Sequence, residues 1–84
     1  MMPNIKVYST PICPYCVRAK ALLESKNLNF KEIDVSDDVE SLQKMMKLSG
    51  LRTVPQIFIN DKSIGGYDEL ARLNADGELP HLDS

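Results

Sequence analysis

Within its first 35 residues the chain alternates a strand pattern, a helical pattern and a second strand pattern, and that alternation admits few folds. The stretch "NIKVYS" (4–9) carries Ile5, Val7 and Tyr8, side chains that suit a pleated, half-buried surface. "TPICP" then breaks the pattern with two prolines. From Pro14 the spacing is helical: Val17, Ala21 and the Leu22–Leu23 pair supply an apolar face through about Lys26. Pro14 fits the first helical position, because the N–H it lacks would be unpaired there anyway. "NFKEIDV" (29–35) reads as the second strand, with Phe30, Ile33 and Val35 apolar. Two strands joined through a helix in this way lie parallel, linked by a right-handed crossover.

The remainder adds a helix, a hairpin and a last helix. "SDDVESLQKMMKLSG" is the strongest helical pattern, with Val39, Leu42, Met45 and Met46 as its buried stripe. Asp37, with Glu40 three residues on, suggests a variant capping box, and Gly50 suits the exit. "PQIFIN" and "KSIGG" flank Asn60–Asp61, a pair suited to a tight hairpin turn. "DELARLN" forms a short terminal helix with Gly77 beyond its end. The order is β-α-β-α-β-β-α, an α/β arrangement in which helices flank a four-stranded mixed sheet. At 84 residues the chain holds one domain, assigned here to 1–84.

Charge narrows the choice of partners. The net charge is −2 with both signs interspersed, which argues against a nucleic acid or an anionic membrane. No signal peptide, membrane span or lipidation motif is read from the sequence, so a reducing cytoplasm is expected.

Cys13 and Cys16 are the two cysteines of the chain. A structural disulfide between them would close a very short loop and remove little unfolded-chain entropy. Zinc needs about four ligands. The chain offers these two thiols and one histidine, His81, so a zinc site would need a carboxylate as well. The third possibility, a redox pair, has a mechanism of its own. Cys13 precedes a helix and Cys16 lies one turn into it, so both sulfurs share one face. The free N–H groups and positive end of the helix favour a thiolate at its mouth. Cys13, at the mouth, is the expected nucleophile. Cys16, deeper, can attack a mixed disulfide formed on Cys13. Arg18 and Lys20 add positive charge nearby. A CxxC beside a strand-helix-strand unit has a thioredoxin-like pattern.

Three motifs carry a closer resemblance: "CPYC" (13–16), "TVPQIFI" (53–59) and "GGYDE" (65–69). In this order and spacing they resemble the glutaredoxin family, in its small dithiol form of bacterial type, over nearly the whole chain. The resemblance implies a thioredoxin fold. It also implies glutathione as co-substrate, with no cofactor or metal bound. Cys13 would take the glutathione sulfur and Cys16 would resolve the intermediate. Tyr15 would line the groove. Pro55 would be a cis proline facing the cysteines, and Thr53 and Val54 would run along glutathione, Val54 pairing with it like an added strand. Gly65 and Gly66 would let the backbone approach closely. Tyr67 and Asp68 would open the last helix, whose N–H groups take the γ-glutamyl carboxylate while the Asp68 side chain takes the ammonium. Arg52 and Thr10 fall at the glycyl end. At Thr10 many relatives have a lysine that binds the glycyl carboxylate and aids the thiol, so this chain departs from them there.

The resemblance thus implies a monomeric, cytoplasmic glutathione-dependent thiol–disulfide oxidoreductase. Its partners would be glutathione and glutathionylated or disulfide-bonded proteins. The alternative within the family is a carrier of a [2Fe–2S] cluster held between two chains, against which Pro14 speaks. A thioredoxin-type reductant served by a flavin reductase is disfavoured by "CPYC" and "GGYDE".

Overall fold

The computed structural model describes residues 4–79, so His81 lies outside the described residues. Its elements run β1 (Ile5–Ser9), α1 (Pro14–Ser25), β2 (Lys31–Asp34), α2 (Val39–Ser49), β3 (Gln56–Ile59), β4 (Lys62–Gly65) and α3 (Tyr67–Ala75). The sheet order is β2-β1-β3-β4. β1 and β2 are parallel, and β3 pairs antiparallel with both β1 and β4. This is the four-stranded mixed sheet of a thioredoxin fold, and among the described residues no helix is long and apolar enough to cross a membrane.

The alternation along β1 and β3 sends side chains to two separate cores. Ile5, Val7 and Ile57 pack with Ala19 and Leu23 of α1 and Leu70 of α3. Tyr8 and Phe58 point the other way and pack with Val35 and Met45, beneath α2. Their rings meet edge to face at 5.4 Å. β2 is polar apart from Ile33, as suits a short edge strand, and Phe30 and Val35 lie just outside its ends. Val35 is nevertheless buried, and its N–H continues the pairing to the Ser9 carbonyl at 2.9 Å.

Two local expectations shift. On α1 the buried residues are Cys16, Ala19 and Leu23, spaced i, i+3, i+7, and Val17 is 56% exposed. The buried thiol occupies the apolar face as a small hydrophobe, which rotates that face by one residue. On α2 the cap is Asp38 rather than Asp37, and Val39 faces solvent. The Asp38 carboxylate accepts from the Ser41 N–H (3.2 Å) and the Ser41 hydroxyl (2.8 Å). Two adjacent aspartates offer two registers, and the serine selects the second.

These bonds hold the Asp38 carboxyl below its usual range, led by the Ser41 hydroxyl. A lowered folded-state value adds stability above the unfolded value that is lost as pH falls through the folded one. Asp38→Ala is therefore expected to lower Tm by a few degrees at neutral pH, and by less as pH falls through the lowered folded-state value and the carboxylate protonates. Thermal melts of both proteins across pH, with Asp37→Ala as a neutral control, measure this.

The hairpin turn is where the sequence places it. Asn60 and Asp61 have φ of 52° and 68°. Both lie in the left-handed region required of a two-residue turn matched to strand twist.

Candidate active site

Between β1 and α1 the chain turns sharply, and the turn ends on Cys13. Cys13 is the N-cap of α1, with φ −93° and ψ 115°, and Pro14 starts the helix. A sulfur replaces the usual cap oxygen: Cys13 Sγ accepts from the Cys16 N–H at 3.4 Å. Anything anionic at that sulfur meets a hydrogen-bond donor and the positive helix end together. The Cys13 thiol also donates to the Val54 carbonyl at 3.7 Å, which ties the cap to the loop before β3.

The two thiols are free and differ in surroundings. Cys13 is half-buried, whereas Cys16 is 0% exposed. Burial pushes the Cys16 thiol up to about 11, with the neighbouring Cys13 adding to the rise. A backbone hydrogen bond from Thr10 and the charge of Lys20 pull the other way.

Facing the cap, Val54–Pro55 is a cis peptide bond, leading into β3. Beyond it lies the start of α3. Together these segments frame a groove of about 290 Å³ lined by Tyr15, Thr53, Val54, Pro55, Gly66, Tyr67 and Asp68 among others. Tyr15 is 52% exposed and leans toward Tyr67, with ring centroids 6.3 Å apart. Arg18 lies over the outer Tyr15 ring at 5.3 Å. A Cβ on Gly66 would come within 3.4 Å of the Pro55 carbonyl, so a side chain there would crowd the floor of the groove. Thr10 stands behind the cap, its carbonyl accepting from the Cys13 N–H at 3.5 Å. Neither Thr10 nor the exposed Arg52 is among the groove's described lining.

Three lining residues, Leu51, Gln56 and Glu69, are absent from the sequence-based set. Glu69 reaches back to the Gly66 N–H at 2.7 Å. Its place three residues after the N-cap is capping-box spacing, a signal legible in the sequence. Asp68, within the first turn, is left free of that duty. Gln56 is buried, and its amide donates to the Thr53 carbonyl (2.9 Å) and hydroxyl (3.1 Å), bracing the loop that carries Val54. No sequence pattern marks it, since a polar residue opening a strand reads as solvent-facing.

Known proteins share this sequence pattern and this fold. The Glutaredoxin family model matches residues 5–64. Glutaredoxin 3 of Escherichia coli K12 is 47% identical over 81 residues, spanning 96% of this chain and 98% of that protein. The solution structure of glutaredoxin from Brucella melitensis superposes with a TM-score of 0.80 at 45% identity, over 92% of this chain and 84% of the other. The buckwheat glutaredoxin–glutathione complex superposes with a TM-score of 0.83 at 30% identity, over 92% of this chain and 73% of the other. By its sequence and by its fold, the chain belongs to the glutaredoxin family.

Proposed function

We propose that this glutaredoxin uses glutathione to reduce protein–glutathione mixed disulfides and some protein disulfides. Glutaredoxins are in general thiol–disulfide oxidoreductases, and two free cysteines in a CxxC fit that chemistry. The observation that carries the finer reading is the position of the Cys13 sulfur. It caps α1, half-exposed, beside a groove framed by Val54, cis-Pro55 and the start of α3. The buckwheat relative, solved as a glutathione complex, supports glutathione as the occupant.

The Cys13 thiolate attacks the glutathione sulfur of a mixed disulfide. The substrate thiol leaves with the electron pair and takes a proton, and Cys13 carries glutathione. A second glutathione thiolate then attacks that sulfur, which releases oxidised glutathione and restores Cys13. With a protein disulfide, Cys13 bonds to one substrate sulfur. Cys16 then attacks Cys13, freeing the substrate dithiol, and two glutathiones reduce the resulting Cys13–Cys16 disulfide. Potentials of this class, about −200 to −230 mV, lie near the glutathione poise, so the reaction runs in either direction.

In this reading Val54 pairs its backbone with the cysteinyl part of glutathione. The first N–H groups of α3 receive the γ-glutamyl carboxylate. Asp68, exposed in that first turn, takes the ammonium. Residues 1–84 act as a single domain, as a monomer, in a reducing cytoplasm.

The test is a coupled assay with glutathione, glutathione reductase and a small glutathione mixed disulfide, run beside a thioredoxin-reductase assay. Turnover through glutathione alone supports the reading. Turnover only with the flavin reductase, or a visible cluster absorbance band after anaerobic purification, goes against it. In the same assay Asp68→Ala is expected to raise KM several-fold with little change in kcat. That ratio corresponds to about 1 kcal/mol of an exposed charge contact. An unchanged KM would remove Asp68 from the site.

A further inference from the structure

Cys16 must attack as a thiolate, yet it is fully buried and its thiol is pushed up to about 11. A nearby positive charge eases such an ionisation.

One lies a turn further along the same helix face. Lys20 follows Cys16 by four residues on α1, so the two side chains are neighbours on one helix face. Lys20 is bent onto the sheet: its side chain is 23% exposed, and Nζ lies 2.7 Å from Glu32 Oε2 on β2. The same carboxylate oxygen accepts from the Ser9 hydroxyl at 2.9 Å, and Ser9 is 1% exposed at the end of β1. Glu32 pairs in register with Val7, which packs under α1, so its side chain rises on the α1 face of the sheet. Lys20, Glu32 and Ser9 therefore form a polar cluster that ties α1 to β1 and β2, with Lys20 held one helical turn from Cys16. Arg18, the other nearby cation on α1, is drawn away over the Tyr15 ring.

We propose that Lys20, anchored by Glu32 and Ser9, is a positioning residue whose charge sets the rate at which Cys16 attacks a mixed disulfide on Cys13. In that step the Cys16 sulfur, its proton given to solvent, bonds to Cys13 Sγ. The bond from Cys13 to the substrate sulfur breaks, and the leaving sulfur takes the electron pair and a proton. Cys13 and Cys16 become the disulfide, and the substrate is reduced. The titratable groups around the thiol are Cys13 from the cap, Lys20 with Glu24 beyond it on α1, and Glu32 with Asp34 on β2. Lys20 favours the Cys16 thiolate, and Glu32 opposes it by neutralising Lys20 while holding it in place.

The inference rests on the reading of Cys13 as attacking and Cys16 as resolving thiol. The experiment mixes reduced protein with oxidised glutathione in stopped flow, with the pH jumped at mixing to values from about 7 to 12 so that the range spans the raised Cys16 value. It follows first glutathione transfer to Cys13 and then glutathione release as the Cys13–Cys16 disulfide forms. In Lys20→Met the midpoint of the second step is expected to move up by roughly half to one pH unit. The thiolate fraction at neutral pH then falls, while each thiolate becomes a better nucleophile, so the net loss in rate is about two- to threefold. Lys20→Arg restores the wild-type midpoint. If Lys20→Met does not fold, Glu32→Gln supplies the same test with the opposite sign, its midpoint moving down. An unmoved midpoint, or an equal loss in both steps, overturns the proposal and leaves Lys20–Glu32 as a strut between α1 and β2. A wild-type protein that never forms the Cys13–Cys16 disulfide instead overturns the reading beneath it.

Discussion

Cys13→Ser is expected to reduce glutathione-dependent turnover to the uncatalysed background, while Cys16→Ala keeps one of the two activities. A serine at the cap can still accept the Cys16 N–H, so α1 and the groove survive the first substitution. What disappears is the nucleophile, since a hydroxyl is neither ionised nor soft enough to attack a disulfide near neutral pH. Removing Cys16 has a different effect. With a glutathione mixed disulfide, a second glutathione can take the sulfur from Cys13, and Cys16 has no necessary part. With a protein disulfide, the intermediate stays bound until another thiol reaches it, and losses of about tenfold or more follow. Alanine is the better replacement, because serine would place a hydroxyl in a site that is 0% exposed, at a cost of about 1–3 kcal/mol if unpaired. Both substrates are assayed for both variants, with a melt of each to confirm folding. Turnover by Cys13→Ser comparable to wild type would remove Cys13 from the chemistry altogether.

This asymmetry was legible from four residues of sequence, and the reason is physical. A CxxC at the start of a helix fixes which sulfur caps the helix and which lies one turn inside, whatever the rest of the fold does. The element order was legible for a similar reason: Asn60–Asp61 tolerates positive φ and Gly50 closes α2, so the punctuation is local. The buried face of α1 was misread because a cysteine was not counted as apolar. Had Cys16 been scored with Ala19 and Leu23, Val17 would have been left outside. The cluster around Lys20 could not be read at all. Lys20 and Glu32 are twelve residues apart, on different elements, and only the crossover from α1 to β2 brings them to 2.7 Å. Thr10 and Arg52 were suggested by the family pattern rather than by their own chemistry, and they stand outside the described lining of the groove.

The second large effect is expected at Gly65, where β4 ends and the groove begins. Its φ is 118°, a conformation that side-chain-bearing residues rarely adopt. It pairs with Ile57 across an irregularity in the β3–β4 register, so the backbone is held from the neighbouring strand and cannot relax freely. A Cβ there would also lie 2.6 Å from Glu69 Oε1 and 2.9 Å from Glu69 Cγ. The glutamate can swing aside, but doing so gives up its bond to the Gly66 N–H, the contact that closes the first turn of α3. Backbone strain of about 1–3 kcal/mol and a lost cap of about 1 kcal/mol together give roughly 2–4 kcal/mol. In a domain of this size that lowers Tm by about 10–20 °C. Glu69→Ala isolates the cap and is expected to cost only the smaller part. If the clash works through Glu69, adding Glu69→Ala to Gly65→Ala costs less than it does alone, because the bond is already broken. Thermal melts of the two single variants and the double variant complete the cycle. Full additivity would show that Glu69 stays on Gly66 in Gly65→Ala, leaving backbone strain as the whole effect. A Gly65→Ala protein as stable as wild type would show that β4 can take up a different φ at its end.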